Sequence, residues 1–261
     1  ALKEEQTLSN IKLFNRANLG NGAVGKVKYT ITYADDSKEE KEITGKQLEY
    51  AYAPAKADTK VKNVDIELFA AEGAYFDYYD LEESSISTSR FASVHVKQEA
   101  SSNVLVNGIT LNNGLTRNNY YIELNGEYAE TTLCGMSVMD REQQVDTYSH
   151  ITHAVPNCTS NELFKNVLDD HAVGAFSGRI LVKEDAQKTA AYQTNRNLCA
   201  TREARMYSKP QLEIYADDVK CSHGMTTGQL DENALFYMRS RGIPLSEARM
   251  MLSVAFTSDV I

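Results

Sequence analysis

NVLVNGITLNNGLTRNNYYIELNGE, residues 103–127, is the stretch on which the fold turns. Val104–Val106 and Tyr120–Leu124 are short β-favouring runs, punctuated by Asn107-Gly108, Asn112-Asn113-Gly114 and Asn125-Gly126. Branched and aromatic side chains fit a pleated, half-buried surface, and Asn and Gly tolerate the left-handed backbone of corners. The same texture extends both ways, through Val64–Phe69 and Ser93–Val96 on one side and Thr131–Val138, Arg179–Val182 and Gln211–Tyr215 on the other. Strands recurring about every ten residues with no long helix between them predict a mainly β fold over residues 61–228. Spacing does not separate a sandwich from a solenoid. Asn-Gly steps suit tight hairpins, and the same residues turn the corners of a β-helix. No crisp sequence repeat decides between them.

Residues 1–60 form a distinct N-terminal segment that reads as a β-hairpin. Val27, Tyr29, Ile31 and Tyr33 alternate with Lys28, Thr30 and Thr32, the period of a half-exposed strand. Asp35-Asp36-Ser37 reads as a turn, and the charged run Lys38–Lys41 leads to a second strand near Ile43. Residues 229–261 change to helix. Asp231 suits an N-cap, Gly242 a C-terminal stop, and Ser246, beyond Pro244, the cap of a second helix. The run Ala234, Leu235, Phe236, Tyr237, Met238 circles the first helix with apolar side chains, and Met250, Met251, Leu252, Val254, Ala255 and Phe256 repeat this on the second. A helix apolar all round is covered on more than one side. Burial in the parent domain is the plain reading. The sharper one is a docking segment, for which methionine is well adapted.

Composition narrows function. With 42% hydrophobic and 24% charged residues the chain is an ordinary globular one. Its 36 acidic and 27 basic residues give a net charge of −9, and no basic patch offsets it, which disfavours nucleic acid as a partner. No apolar run is long enough to span a bilayer, and no charged-then-apolar leader opens the sequence, so a cytoplasmic location is expected. The four cysteines, at 134, 158, 199 and 221, form no CxxC pair and read mostly as buried thiols. Phosphate-loop, GxGxxG, GxSxG and HExxH signatures are missing, which weakens nucleotide, nicotinamide, serine-hydrolase and zinc-protease readings.

Two constellations carry chemistry. In Asp217-Asp218-Val219-Lys220-Cys221-Ser222-His223-Gly224, an extended backbone turns Cys221 and His223 the same way with Cα atoms about 6.6 Å apart. Thiolate and imidazole are the donors that iron–sulfur clusters and zinc favour. Two donors do not close a four-ligand site, so the others come from elsewhere in the fold or from a second subunit. The second constellation, His150-x-x-His153-x₄-Cys158, would suit a stand-alone zinc protein, but those histidines share a face only on a helix, and Pro156 argues against one. Asp77-Tyr78-Tyr79-Asp80 offers paired acids and aromatics. It is the basis of a rival reading as a β-helix polysaccharide lyase or hydrolase.

The segment KPQLEIYADDVKCSHGMTTGQLDENALFYMRSRGI at 209–243 resembles the SufD side of the SufB/SufD family of the SUF iron–sulfur cluster assembly machinery. The collinear segments SHITHAVPNCTSNELFKNVLDDHAVGAFSGRILVKEDAQKTAAYQTNRNL at 149–198 and LNNGLTRNNYYIELNGE at 111–127 are similar too, and EGAYFDYYDLEESS at 72–85 more loosely. Together they run from about residue 64 to 256, whereas residues 1–60 match no family segment. The resemblance implies a right-handed parallel β-helix with a C-terminal helical hairpin. It implies a non-enzymatic scaffold subunit that pairs with a SufB-like subunit and docks a SufC-like ATPase, or forms a homodimer when isolated. It implies that His223, with Cys221 as a weaker companion, contributes donors to a transient iron–sulfur cluster at the subunit interface, none being held stably by this chain alone. The docking residues expected on the hairpin are Leu235, Phe236, Tyr237, Met238, Met250 and Met251.

Overall fold

The computed structural model describes residues 11–14, 25–33, 37–44, 49–52 and 61–260. The chain opens with β1 (Ile11–Phe14), β2 (Gly25–Tyr33), β3 (Lys38–Thr44) and β4 (Glu49–Tyr52). There follow β5 (Val61–Ala70), β6 (Tyr75–Glu83), β7 (Ser89–Gln98), β8 (Asn103–Asn112), β9 (Leu115–Leu124) and β10 (Glu130–Met139). The remaining strands are β11 (Gln144–His153), β12 (Thr159–Leu168), β13 (Val173–Val182), β14 (Ala190–Cys199), β15 (Arg205–Ile214) and β16 (Lys220–Gly228). Two helices, α1 (Glu232–Ser240) and α2 (Leu245–Thr257), close the chain.

Each strand from β5 to β14 pairs in parallel with the next but one, so odd and even strands build two separate sheets. This is a parallel β-solenoid of six two-strand turns, and the tight-hairpin alternative does not hold over these strands. Sequential strands lie in opposite sheets, which is why their adjacent sequence never pairs. The antiparallel pairs β2–β3 and β2–β5 extend one sheet, and β1–β4 and β1–β6 the other. Within residues 1–60, where the sequence predicts a hairpin, β2 and β3 pair antiparallel. The facing of Val27, Tyr29, Ile31 and Tyr33 and the turn at Asp35-Asp36 lie outside the described residues.

Burial that alternates along β9, β11 and β13 sends every second side chain into the solenoid interior. Leu68, Val96, Ile122, Ile151, Ile180 and Leu212 are successive register partners, one per turn, and form an aliphatic row down the odd-strand sheet. Tyr120, Phe164 and Phe176 fill the centre, with ring centroids 5.9 and 5.3 Å apart. Glycine makes their room. A Cβ on Gly135 would lie 2.5 Å from the Phe164 ring and 2.7 Å from the Gly108 carbonyl oxygen. Asn107-Gly108 is therefore not a corner, as its sequence suggests, but the middle of β8, where the missing side chain accommodates Tyr120.

The corners repeat in conformation and not in residue type. Gly73, Ser101, Tyr128, Asn157 and Lys188 all have φ between 55° and 67° at the same corner of successive turns. Asp231 caps α1, its carboxylate accepting from Asn233 N at 2.8 Å and Ala234 N at 3.3 Å. Gly242, at φ 89°, stops it. Helix α2 begins two residues earlier than Ser246 would cap it. Pro244 holds the N-cap position, with its restricted backbone in place of a side-chain bond.

Candidate functional site

The helical hairpin leaves the last strand and folds back over the outer face of the even-strand sheet. Lys165, on that face of β12, donates to the Phe256 carbonyl at 2.7 Å and pairs with Asp259 at 2.5 Å. A cation at the carbonyl end of a helix is favourable. Asn107 donates to the Val260 carbonyl at 2.8 Å, and Arg249 to the Ala200 carbonyl at 2.6 Å. Val260 covers Cys134 and Met136. Burial pushes the Cys134 thiol up to about 12, which makes it packing material and not a donor.

Within this hairpin the six expected docking residues separate. Leu235 is buried against its own chain, so its apolar surface is spent on folding and it is unavailable to a partner. Met238 is half-buried. Phe236 at 75% exposure, Tyr237 at 60%, Met250 at 61% and Met251 at 46% face outward. An open groove of about 670 Å³ runs between α2 and β10, lined by Leu111, Val138, Met250 and Val254 among others.

Strand β16 is the last of the even sheet, and β15 the last of the odd one. Among the described residues no further turn lies beyond them. Along β16, Cys221 and His223 are register partners of the buried residues Ala191 and Gln193 on β14, so both belong to the inward-facing set at the solenoid's open end. Cys221 is half-buried against the core, and burial raises its thiol above the ordinary range. His223 is exposed. Beneath it in the same register row lie Gln193 and Glu162, both buried. Gln193 Nε2 donates to Glu162 Oε2 at 2.7 Å, and Ser149 donates its hydroxyl to the same carboxylate. Burial pushes the Glu162 carboxyl up to about 7, against the opposing pull of those two hydrogen bonds. Sequence reading missed this pair because residues 30 and 61 positions from His223 carry no local motif. Only the strand register brings them together.

The other candidates part company. His150 and His153 emerge on opposite faces of β11. His153 is fully buried, its Nε2 2.8 Å from the Ser160 hydroxyl, and burial lowers it to about 4. Cys158 donates its thiol to the Gly126 carbonyl at 3.3 Å. These three do not share an ion, and among the described residues no three His, Cys, Asp or Glu side chains converge as a metal site. Asp77 and Asp80 likewise alternate across β6. Asp80 points inward and pairs with Arg90 at 2.6 Å, while Asp77 belongs to the outer set. They form no catalytic carboxylate pair, which removes the basis of the glycan-cleaving reading. No described helix is long and apolar enough to cross a membrane.

The fold is thus a parallel solenoid whose last turn carries a thiol and an imidazole on its inward-facing register positions, with a hairpin of outward-facing apolar side chains beside it. The sequence from 40 to 256 matches the family described as "SUF system FeS cluster assembly, SufBD core domain". The chain belongs to that family of iron–sulfur cluster assembly proteins. The match begins inside the N-terminal segment that sequence reading could not align. An iron–sulfur cluster assembly SufBD family protein of Synechocystis is 34% identical over 76% of this chain and 44% of its own length. The iron–sulfur cluster assembly protein SufD of Escherichia coli is 38% identical over 58% of this chain and 36% of its own. A chloroplastic protein of Arabidopsis thaliana is 33% identical over 76% and 42%. The chain thus spans less than half the length of these curated relatives.

Proposed function

We propose that this chain is the SufD-type, non-enzymatic scaffold of a cytoplasmic assembly complex, pairing with a SufB-like subunit and docking a SufC-like ATPase. The observation that carries it is the location of His223 and Cys221 on the inner face of the terminal turn, in a chain of the SufBD family. Strand β16 leaves one side of its backbone without a strand partner among the described residues, and such edges accept another chain's strand. A subunit seated there covers both donors. The cluster is the cargo of this site. His223 is the better donor because imidazole binds metal neutral, whereas the buried Cys221 thiol must first lose a proton. Two donors leave a four-ligand shell incomplete, so the reading assigns the remaining ligands to the paired subunit. Phe236, Tyr237, Met250 and Met251 then form the apolar handle for the ATPase, with the solenoid as a stiff body behind it.

The test is anaerobic reconstitution with the SufB-like and SufC-like subunits, reading cluster yield by absorption spectroscopy. His223→Ala is expected to cut the yield at least about tenfold while shifting chain stability by less than about 0.5 kcal/mol, as surface substitutions do. An unchanged yield removes the donor role. For docking, the triple substitution Phe236→Ser, Tyr237→Ser, Met250→Ser should abolish ATPase capture, and full retention would defeat the handle. Substitution is preferable to deleting the hairpin, which would also uncover Cys134 and Met136.

A further inference from the structure

Three successive turns stack Glu162, Gln193 and His223 in one register row on the even sheet, and Ser149, Gly178 and Pro210 in another on the odd sheet. The rows meet across the interior. Ser149 donates to Glu162, and the Gln193 amide occupies the place where a Cβ on Gly178 would stand. Gly178 is thus the gap that lets the Gln193 side chain extend inward. Its amide nitrogen is spent on Glu162. Its amide oxygen, on a side chain 1% exposed, makes no hydrogen bond among the described residues. Buried polar atoms are rarely left so, because desolvation without a partner costs free energy. The neighbour one step along the row is His223, whose neutral imidazole always carries one N–H to donate. In metal sites a histidine's second nitrogen is habitually held by such an acceptor, which sets the tautomer.

We propose that Gln193 is a positioning residue for His223: anchored by Glu162, its unpartnered amide oxygen is the acceptor toward which the exposed imidazole turns its N–H, which fixes the ring nitrogen that stays free for metal. This rests on the reading of His223 as a donor and deepens it. Glu162 acts one step further back, aiming the amide by accepting a hydrogen bond from its N–H. Gly178 keeps the space open.

The test is nitrogen-15 NMR of the histidine ring in the full chain at about pH 8.5, above the ordinary histidine range. The His223 signals are assigned by their loss in His223→Ala. The tautomer ratio should differ roughly fivefold from that in the urea-unfolded chain, the bias one neutral hydrogen bond sustains. Gln193→Leu should return it to the unfolded ratio, and Glu162→Gln, which still offers an oxygen to the Gln193 nitrogen, should keep it. Gln193→Met reads the same point if the leucine variant loses its folded spectrum. No bias in the unsubstituted chain, or the same bias without Gln193, overturns the proposal. Cluster yield in His223→Ala reports the donor role separately, so either idea can fail alone.

Discussion

The odd sheet lines the interior with Leu68, Val96, Ile122, Ile151, Ile180 and Leu212, aliphatic from the first turn to the last. The even sheet starts apolar as well, with Tyr78, Val106 and Leu133, then changes to Glu162, Gln193 and His223. A neighbouring row, Glu82, Thr110, Ser137, Asn166, Asn197 and Thr227, is polar throughout and linked by hydrogen bonds such as Asn166 Nδ2 to Asn197 Oδ1 at 2.8 Å. The backbone register is the same in all three rows. What differs is what each contributes. One wall supplies cohesion through apolar burial, and the other holds a polar set that folding alone does not favour and that leads to the exposed histidine.

If that division is right, substitutions on the two walls should differ in sign. Ile151 is fully buried at the middle of the aliphatic row. Ile151→Ala should cost about 2–5 kcal/mol, the range for truncating a packed aliphatic side chain, measured by urea unfolding. A loss below about 1 kcal/mol would mean that this wall is not the cohesive one.

Glu162→Gln should stabilise instead. Because burial raises the folded carboxyl to about 7, the folded chain holds this proton more tightly than the unfolded one. Its favourable contribution is complete below about pH 4.5, the ordinary glutamate range, and is lost as pH rises toward 7. Above pH 7 the glutamine variant should be more stable by on the order of 1–3 kcal/mol, the two converging near pH 4.5. Parallel stability–pH curves for the two proteins would show that Glu162 is not desolvated.

Gly135→Ala sharpens the comparison where the walls touch. The added methyl meets Phe164 and the Gly108 carbonyl, and overpacking of this kind costs about 1–3 kcal/mol. A neutral result in thermal unfolding would deny that the aromatic centre is close-packed. The smallest effect belongs to the corners, outside both walls. Tyr128, exposed and held at φ 61°, should accept glycine with a gain of about 0.5–1 kcal/mol. Destabilisation there would mean that its side chain has a packing role.

The strand texture, the capping of α1 by Asp231 and the Cys221–His223 pairing were legible because each rests on residues close in sequence. The choice of solenoid over sandwich was not legible from spacing, and came only with the family resemblance. The aliphatic row recurs at intervals of 28, 26, 29, 29 and 32 residues, from 68 to 212, and corners of unequal length blur any repeat. The corner residues disguise it further, since serine, tyrosine, asparagine and lysine adopt the conformation that glycine takes at 73. Asn107-Gly108 misled for the opposite reason. Its glycine answers to Tyr120 across the interior and not to a turn. Leu235 and Phe236 are neighbours in one apolar run, yet one is buried and the other exposed, because only one side of α1 meets the chain.

By itself the sequence determined local conformation: which residues extend, which turn, which start and stop a helix, and that an imidazole and a thiol share one side of a strand. Those outcomes follow from sterics and hydrogen bonds within a few residues. Tertiary structure alone decided that this strand is the last of a stack, that Gln193 and Glu162 lie beneath His223, and that the hairpin turns Phe236, Tyr237, Met250 and Met251 outward. Parallel pairing joins residues about thirty positions apart, and that distance is set by the corners, whose lengths no periodicity records.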